Sequence, residues 1–452
     1  MALGLGVVAG DPTPGQFAIL GVAIGLSALI AALAFPWCGY LALVSSSMML
    51  VVVLIAHLRA ANLFDMLLAP VLLSTALTLW RPGMRPDLWF EALRGHSAIQ
   101  AAERRFVHSA QLYFLVAIAS LLPGLVMGRQ AQSLDSALLL IRGLQGVLLY
   151  PLGMALVRSE RRLNQTMAAL LAGGFFFAVI NGFALASGVQ RAGITWVVNT
   201  PVWPINSPNE GATAMLMLWV LLIARQMARR QMSNLILLPL VLLMLVLTQS
   251  RSGLLAWLTF NALMLRRTRL GHLLVGLVVI GIAIPFIPAE YWGRLSRTLV
   301  LKAGSYEAYS ALVRVYGWNA AWRVFLDHPT LGVGYMCFRF VSSSYHDLPF
   351  MITTAENMFL EIATGMGLVG LIAALACIIR MFRLGLEIQR ASPAGTLGHQ
   401  LARCNGPFLA SLLVANLTAD SWTGMISLGQ LAIWLVLLVR AGQFAALKNA
   451  AT

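Results

Sequence analysis

The sequence predicts an all-α polytopic membrane protein with about 12–13 transmembrane helices and one long outward loop. Three observations carry that expectation. Of the 452 residues, 59% are hydrophobic and only 10% charged, whereas soluble domains are nearer half apolar and a quarter charged. Apolar runs close to the ~20 residues that cross a bilayer recur along the chain. Arginine-rich and arginine-poor connections alternate between those runs. A soluble enzyme, a single-span receptor and a disordered scaffold are excluded.

The runs lie near 17–35, 38–56, 63–80, 109–127, 136–157, 166–187, 211–227, 234–248, 252–265, 272–289, 357–379, 405–419 and 424–441. Twelve or thirteen spans fit, because the pair 234–248 and 252–265 is short and the first two runs are tightly joined. The amino terminus lacks the basic start of a cleaved signal peptide, so the first run reads as a retained span. One set of alternate connections holds Arg81 to Arg105, Arg158 to Arg162, Arg225 to Arg230, Arg266 to Arg269 and Arg380 to Arg403, with Arg440 and Lys448 at the carboxyl end. The connections between them offer only Arg59, Arg129, Arg191 and Arg251. The positive-inside rule makes the first set cytoplasmic.

The net charge of +15 does not point to nucleic acid, because the basic residues are scattered between apolar runs. Cys38, Cys337, Cys377 and Cys404 show no paired spacing, so neither a disulfide framework nor a zinc site is implied. His328 and His346 share the outward loop without a ligand partner at metal spacing, and no cofactor is implied.

Residues 290–356 form the long outward segment, between amino-terminal helices in 1–289 and carboxyl-terminal helices in 357–452, all within one integral membrane domain. Its six basic residues do not conflict with the orientation, since long translocated segments escape the charge rule. Within it, 306–326 has helical spacing, with Leu312, Tyr316, Ala320 and Val324 expected on one face and His328-Pro329 ending the helix. Such a helix suits the outer membrane surface.

Two arginines and a few carboxylates stand out as candidates. Arg251, in Ser250-Arg251-Ser252-Gly253, sits at the outward boundary between apolar runs. It reads either as a clamp whose planar fork grips phosphate oxygens or as an interfacial arginine reaching for water. Arg314 reads as a clamp or as a solvated-face residue of the loop helix. Glu356 opens a span beside Asn357, where a helix-terminal charge is the plainer reading. Asp420 and Glu210, which follows Asn209 at the start of another span, have capping as theirs. Glu361 lies deeper in its apolar run, where a carboxylate is expensive and harder to dismiss as a cap.

In order and spacing these segments resemble the O-antigen ligase and polymerase superfamily, the WaaL-type ligases and Wzy-type polymerases. The matching features are Ser250-Arg251-Ser252-Gly253, the loop helix with Arg314 and Trp318, and Asp327-His328-Pro329-Thr330-Leu331-Gly332-Val333-Gly334. Glu356-Asn357-Met358-Phe359-Leu360-Glu361, running into Gly365-Met366-Gly367-Leu368-Val369-Gly370, and the upstream Asn206-Ser207-Pro208-Asn209-Glu210 complete the set. The resemblance spans roughly 200–420.

It implies a metal-independent glycosyltransferase of GT-C-type architecture in the bacterial inner membrane, with its active site facing the periplasm. The implied donor is an undecaprenyl-diphosphate-linked glycan. A glycan or lipid is the acceptor, and a chain-length regulator is a conceivable partner. Arg251 and Arg314 would bind the diphosphate, Glu356 would act as general base, and Asn357, Asp420, Asn209 and Glu210 would support them. Ligases of the family carry histidine where this chain has Glu356, which favours a polymerase of surface polysaccharide repeat units. The alternatives are ligation of the glycan to lipid A–core and, in another class, a flippase or transporter of lipid-linked oligosaccharide. Interrupted repeat halves, a common transporter signature, are not evident.

Overall fold

The computed structural model describes residues 34–46, 52–53, 63–79, 97–123, 130–186, 202–203, 208–248, 250–265, 281, 306–347, 352–419 and 425–451. Apart from a few positions, the expected spans at 17–35 and 272–289 lie outside the described residues, as do Asp420 and the loop residues 290–305. The regular structure of the described residues is helical, save for two two-residue strands. The helices are α1 (Pro36–Ser46), α2 (Leu63–Leu79), α3 (Ser97–Ala119), α4 (Gln130–Val147), α5 (Leu149–Leu156), α6 (Glu160–Ala186) and α7 (Pro208–Arg229). They continue as α8 (Met232–Leu247), α9 (Arg251–Leu265), α10 (Tyr306–Asp327), α11 (Phe338–Val341), α12 (Met358–Ala391), α13 (Leu397–Ala415) and α14 (Met425–Ala451). Strands β1 (Val52–Val53) and β2 (Val202–Trp203) pair antiparallel, Val52 opposite Trp203.

The protein is an all-α polytopic membrane protein. Among the described residues, four stretches are long and apolar enough to cross a bilayer: Ser136–Leu156, Asn209–Arg229, Met358–Ala391 and Ser427–Asn449. Such segments succeed in lipid because a helix satisfies its own backbone groups. Large apolar side chains such as Leu115, Phe175, Ile236 and Ile372 remain exposed, as a lipid-facing surface requires. The helices are drawn together by small residues and by polar stitches. Asn405 of α13 is one such stitch: it accepts from the Trp434 indole of α14 at 2.9 Å and donates to the Met381 carbonyl of α12 at 3.1 Å. Gly385 leaves the room for it on α12.

A second stitch runs through an arginine. Arg440, expected among the cytoplasmic loop charges, is instead buried in α14 at 6% exposure. It donates to the Met154 carbonyl and, at 2.8 Å, to Gln443. The arginine fits there because its long side chain finds a carbonyl and an amide oxygen inside the bundle. Glu103 of α3 accepts from the Tyr150 hydroxyl of α5 at 2.8 Å.

Helix α12 is broken at Gly367, whose φ of 65° and ψ of −163° are not helical. The segment 329–334 is laid into the break. Val333 and Gly334 donate to the Thr364 and Gly365 carbonyls at the end of the upper half, each at 2.9 Å. The Pro329 and Thr330 carbonyls accept from Leu368 and Val369 at the start of the lower half, at 2.7 and 3.3 Å. Each new helix end is thereby satisfied by protein, the condition for irregular backbone at membrane depth. Gly332 must be glycine: its φ is +68°, and a Cβ there would run into the Thr364 carbonyl. Gly332→Val is therefore expected to destabilise the protein by about 1–3 kcal/mol, read as a lower melting midpoint in detergent. An unchanged midpoint would show that the splice does not hold the two segments together.

Helix α10 ends at Asp327, before His328-Pro329, as the sequence predicts. Its faces differ from the expectation. Gly317, Ala320, Ala321 and Val324 are buried, whereas Leu312 and Tyr316 are exposed. Positions four apart drift by about 40° per step on a 3.6-residue turn, so a run of four cannot stay on one face. The buried side packs with Val333, Phe338, Val341, Ile352 and Ala355 in a small apolar cluster of its own.

Candidate active site

Two clusters gather the sequence-predicted residues. The first is built by α10 and the start of α12. Helix α10 packs at Gly317 against the segment before α12, beside Ile352 and Thr354. One turn earlier on the same helix, Arg314 meets Glu356. Its Nη2 and Nε both point to Oε2, at 3.2 and 3.4 Å, and the two side chains are 25% and 39% exposed. The pair is thus open to solvent and to a ligand.

Glu356 itself is unusual in its backbone. It has φ of 49°, a region that non-glycine residues visit rarely. Its neighbours on both sides are anchored. Asn357 caps α12 by accepting from Phe359 and Leu360, at 3.0 and 3.2 Å, and its amide donates to the Leu417 carbonyl at 3.0 Å. The Met358 N–H donates to the Asn416 carbonyl at 3.0 Å. The far end of α13 therefore helps hold the start of α12.

The second cluster joins α7 to α9. The Asn209 side chain reaches across helices: its Oδ1 accepts from the Ser250 hydroxyl at 2.7 Å and from the Ser252 hydroxyl at 3.3 Å. Ser250 in turn caps α9 by accepting from the Gly253 N–H at 3.1 Å. Gly253 has no side chain because a Cβ would collide with Ala212 of α7. Arg251, half-buried, is the first residue of α9 and is held between the two stitched serines. Glu210 lies half-buried in the first turn of α7. Asn209→Leu would leave both hydroxyls without this acceptor and is expected to lower stability by about 1–3 kcal/mol, measurable as a reduced melting midpoint. Equal midpoints would rule out the stitch.

Helices α9, α12 and α13 line an open pocket of about 420 Å³ with Leu263, Phe382, Leu386, Gln389, Ala402 and Pro407 among others. No group of three His, Cys, Asp or Glu side chains among the described residues is placed to hold a metal ion.

The geometry defines a class: a polytopic helical membrane protein with an arginine–glutamate pair where α10 meets the start of α12. Residues 235–375 match the family model described as O-antigen ligase. The match contains Arg251, Arg314, Glu356, Asn357 and Glu361; Asn209, Glu210 and Asp420 fall outside it. No curated protein sequence matches the chain. A solved chain from work on structural coordination of polymerization and crosslinking by a peptidoglycan synthase complex is similar at 17% identity. That likeness covers 74% of this chain and 96% of the other, with a TM-score of 0.40.

Proposed function

We propose that this chain is a metal-independent glycosyltransferase of the GT-C type that polymerises undecaprenyl-diphosphate-linked repeat units into a surface polysaccharide at the periplasmic face of the bacterial inner membrane. The observation that carries this reading is the Arg314–Glu356 pair, which sits where α10 meets the start of α12 and inside the family match. In the reaction, an acceptor sugar hydroxyl forms a bond to the anomeric carbon of the donor while the bond from that carbon to the diphosphate breaks. The hydroxyl proton passes to the Glu356 carboxylate, a general base. The diphosphate leaves carrying the bonding electrons, and the Arg251 and Arg314 guanidiniums stabilise its growing charge. Asn357, Asn209, Glu210 and Asp420 support these groups. The acceptor is a second lipid-linked glycan, and a chain-length regulator is a fitting partner.

The pair also supports an order of events. The Arg314 guanidinium is engaged by one oxygen of Glu356, Oε2. A diphosphate is the stronger ligand for a guanidinium fork. Its arrival takes Arg314 and releases the carboxylate, so the base becomes free once the donor is in place.

The test is a reaction of purified protein with its lipid-linked repeat unit in the absence of divalent metal, resolved on a gel. A ladder of lengthening lipid-linked glycans supports polymerisation. Transfer only to added lipid A–core makes the protein a ligase. Substrate that binds without any product makes it a carrier of lipid-linked glycan and removes the enzyme reading.

A further inference from the structure

We propose that Glu361 is the positioning residue of this site: it sets the backbone of Glu356 so that its carboxylate meets Arg314. The inference rests on the reading of Glu356 as the base and adds a residue to which that reading gives no role.

Glu361 is 3% exposed, and its Oε2 accepts from the Ala355 N–H at 2.9 Å. A carboxylate so placed is costly unless donors or cations compensate it. The Ala355 N–H supplies one, and Arg339 at the end of α11 supplies the nearest positive charge. Capping α12 does not require this carboxylate, because Asn357 already takes the Phe359 and Leu360 N–H groups. Glu361 reaches back past the cap, to the residue just before Glu356.

Its effect is on the residue between the anchors. A non-glycine residue in the left-handed region persists only where its surroundings over-determine it. Here Ala355 is fixed on one side by Glu361 and by burial in the small apolar cluster, while Asn357 and Met358 are fixed on the other by the end of α13. Releasing the Ala355 N–H would let Glu356 relax to an ordinary backbone conformation. A shift of about 1 Å in a reacting group can lower a rate by about 10²-fold. The donor clamp at Arg251 is built on other helices and is left intact.

The test is a double-mutant cycle on the full chain in detergent, with each variant first shown to be monodisperse. Glu361→Met is expected to lower kcat about 10²-fold with donor KM within about twofold, whereas Glu361→Gln, which retains an acceptor oxygen for Ala355, keeps most of the rate. In a Glu356→Gln background, Glu361→Met is expected to lower the residual rate no further, because the residue acts through Glu356. Should Glu361→Met fail to fold, Ala355→Pro, which removes the same N–H, takes its place in the cycle. Full activity in Glu361→Met overturns the proposal. So does an equal loss in both backgrounds, the mark of a general structural role. A wild-type protein that transfers nothing instead overturns the enzyme reading, and does so before any variant is compared.

Discussion

Glu356→Gln is expected to slow glycan transfer by about 10²–10⁴-fold, the usual contribution of a positioned general base, while binding undecaprenyl diphosphate at least as tightly as the wild type. The two effects separate because Glu356 has two relationships to the reaction. On the proposed reading it receives the acceptor proton, and it pairs with Arg314, through contacts at 3.2 and 3.4 Å, where the donor diphosphate would compete. The amide cannot take the proton at neutral pH and pairs only weakly with a guanidinium, so turnover falls while the arginine becomes more available. Arg314→Ala should show the opposite pattern for binding, with donor affinity reduced about tenfold or more, as for lost charge-assisted hydrogen bonds. The measurements are the rate of ladder formation and equilibrium binding of undecaprenyl diphosphate to protein in nanodiscs. Weaker binding by Glu356→Gln would show that the carboxylate helps hold the donor and does not compete with it.

Arg440→Ala is expected to lower stability by about 1–3 kcal/mol, because the Met154 carbonyl and the Gln443 amide oxygen lose their buried donor. An unchanged melting midpoint in detergent would show that this contact does not hold α14 in place. The exposed Lys448–Glu160 pair nearby, at 2.7 Å, should contribute little, as solvated pairs do.

Much of the architecture was legible because a bilayer leaves few options. The apolar runs at 211–227, 234–248 and 252–265 correspond to α7, α8 and α9, and the Asp327-His328-Pro329 stop to the end of α10. Helices α3 and α13 begin well before their apolar runs, because polar first turns carry no hydropathy signal. The candidate residues were also visible one by one, through rare charges beside apolar runs. Their partnerships were not. Arg314 and Glu356 are 42 positions apart, and their meeting depends on how α10 folds back on the start of α12, which no local pattern announces. Asn209 was visible only as part of a span's entry, whereas its side-chain partners lie on another helix. Arg440 looked like a loop charge because charge counting ignores what a neighbouring helix offers. Glu361 was the exception: a carboxylate inside an apolar run needs compensation wherever it lies, and that alone made it worth singling out.

The break in α12 bears on how the chain enters the membrane. A translocon that delivered residues 358–391 alone would present the lipid with two open helix ends, at Thr364–Gly365 and at Leu368–Val369. The groups that close them belong to residues 329–334, which are synthesised earlier and must be at hand when the span arrives. Membrane integration of this span and docking of the preceding segment are thus one event. A nascent chain stalled between the two would be the form that quality-control proteases meet.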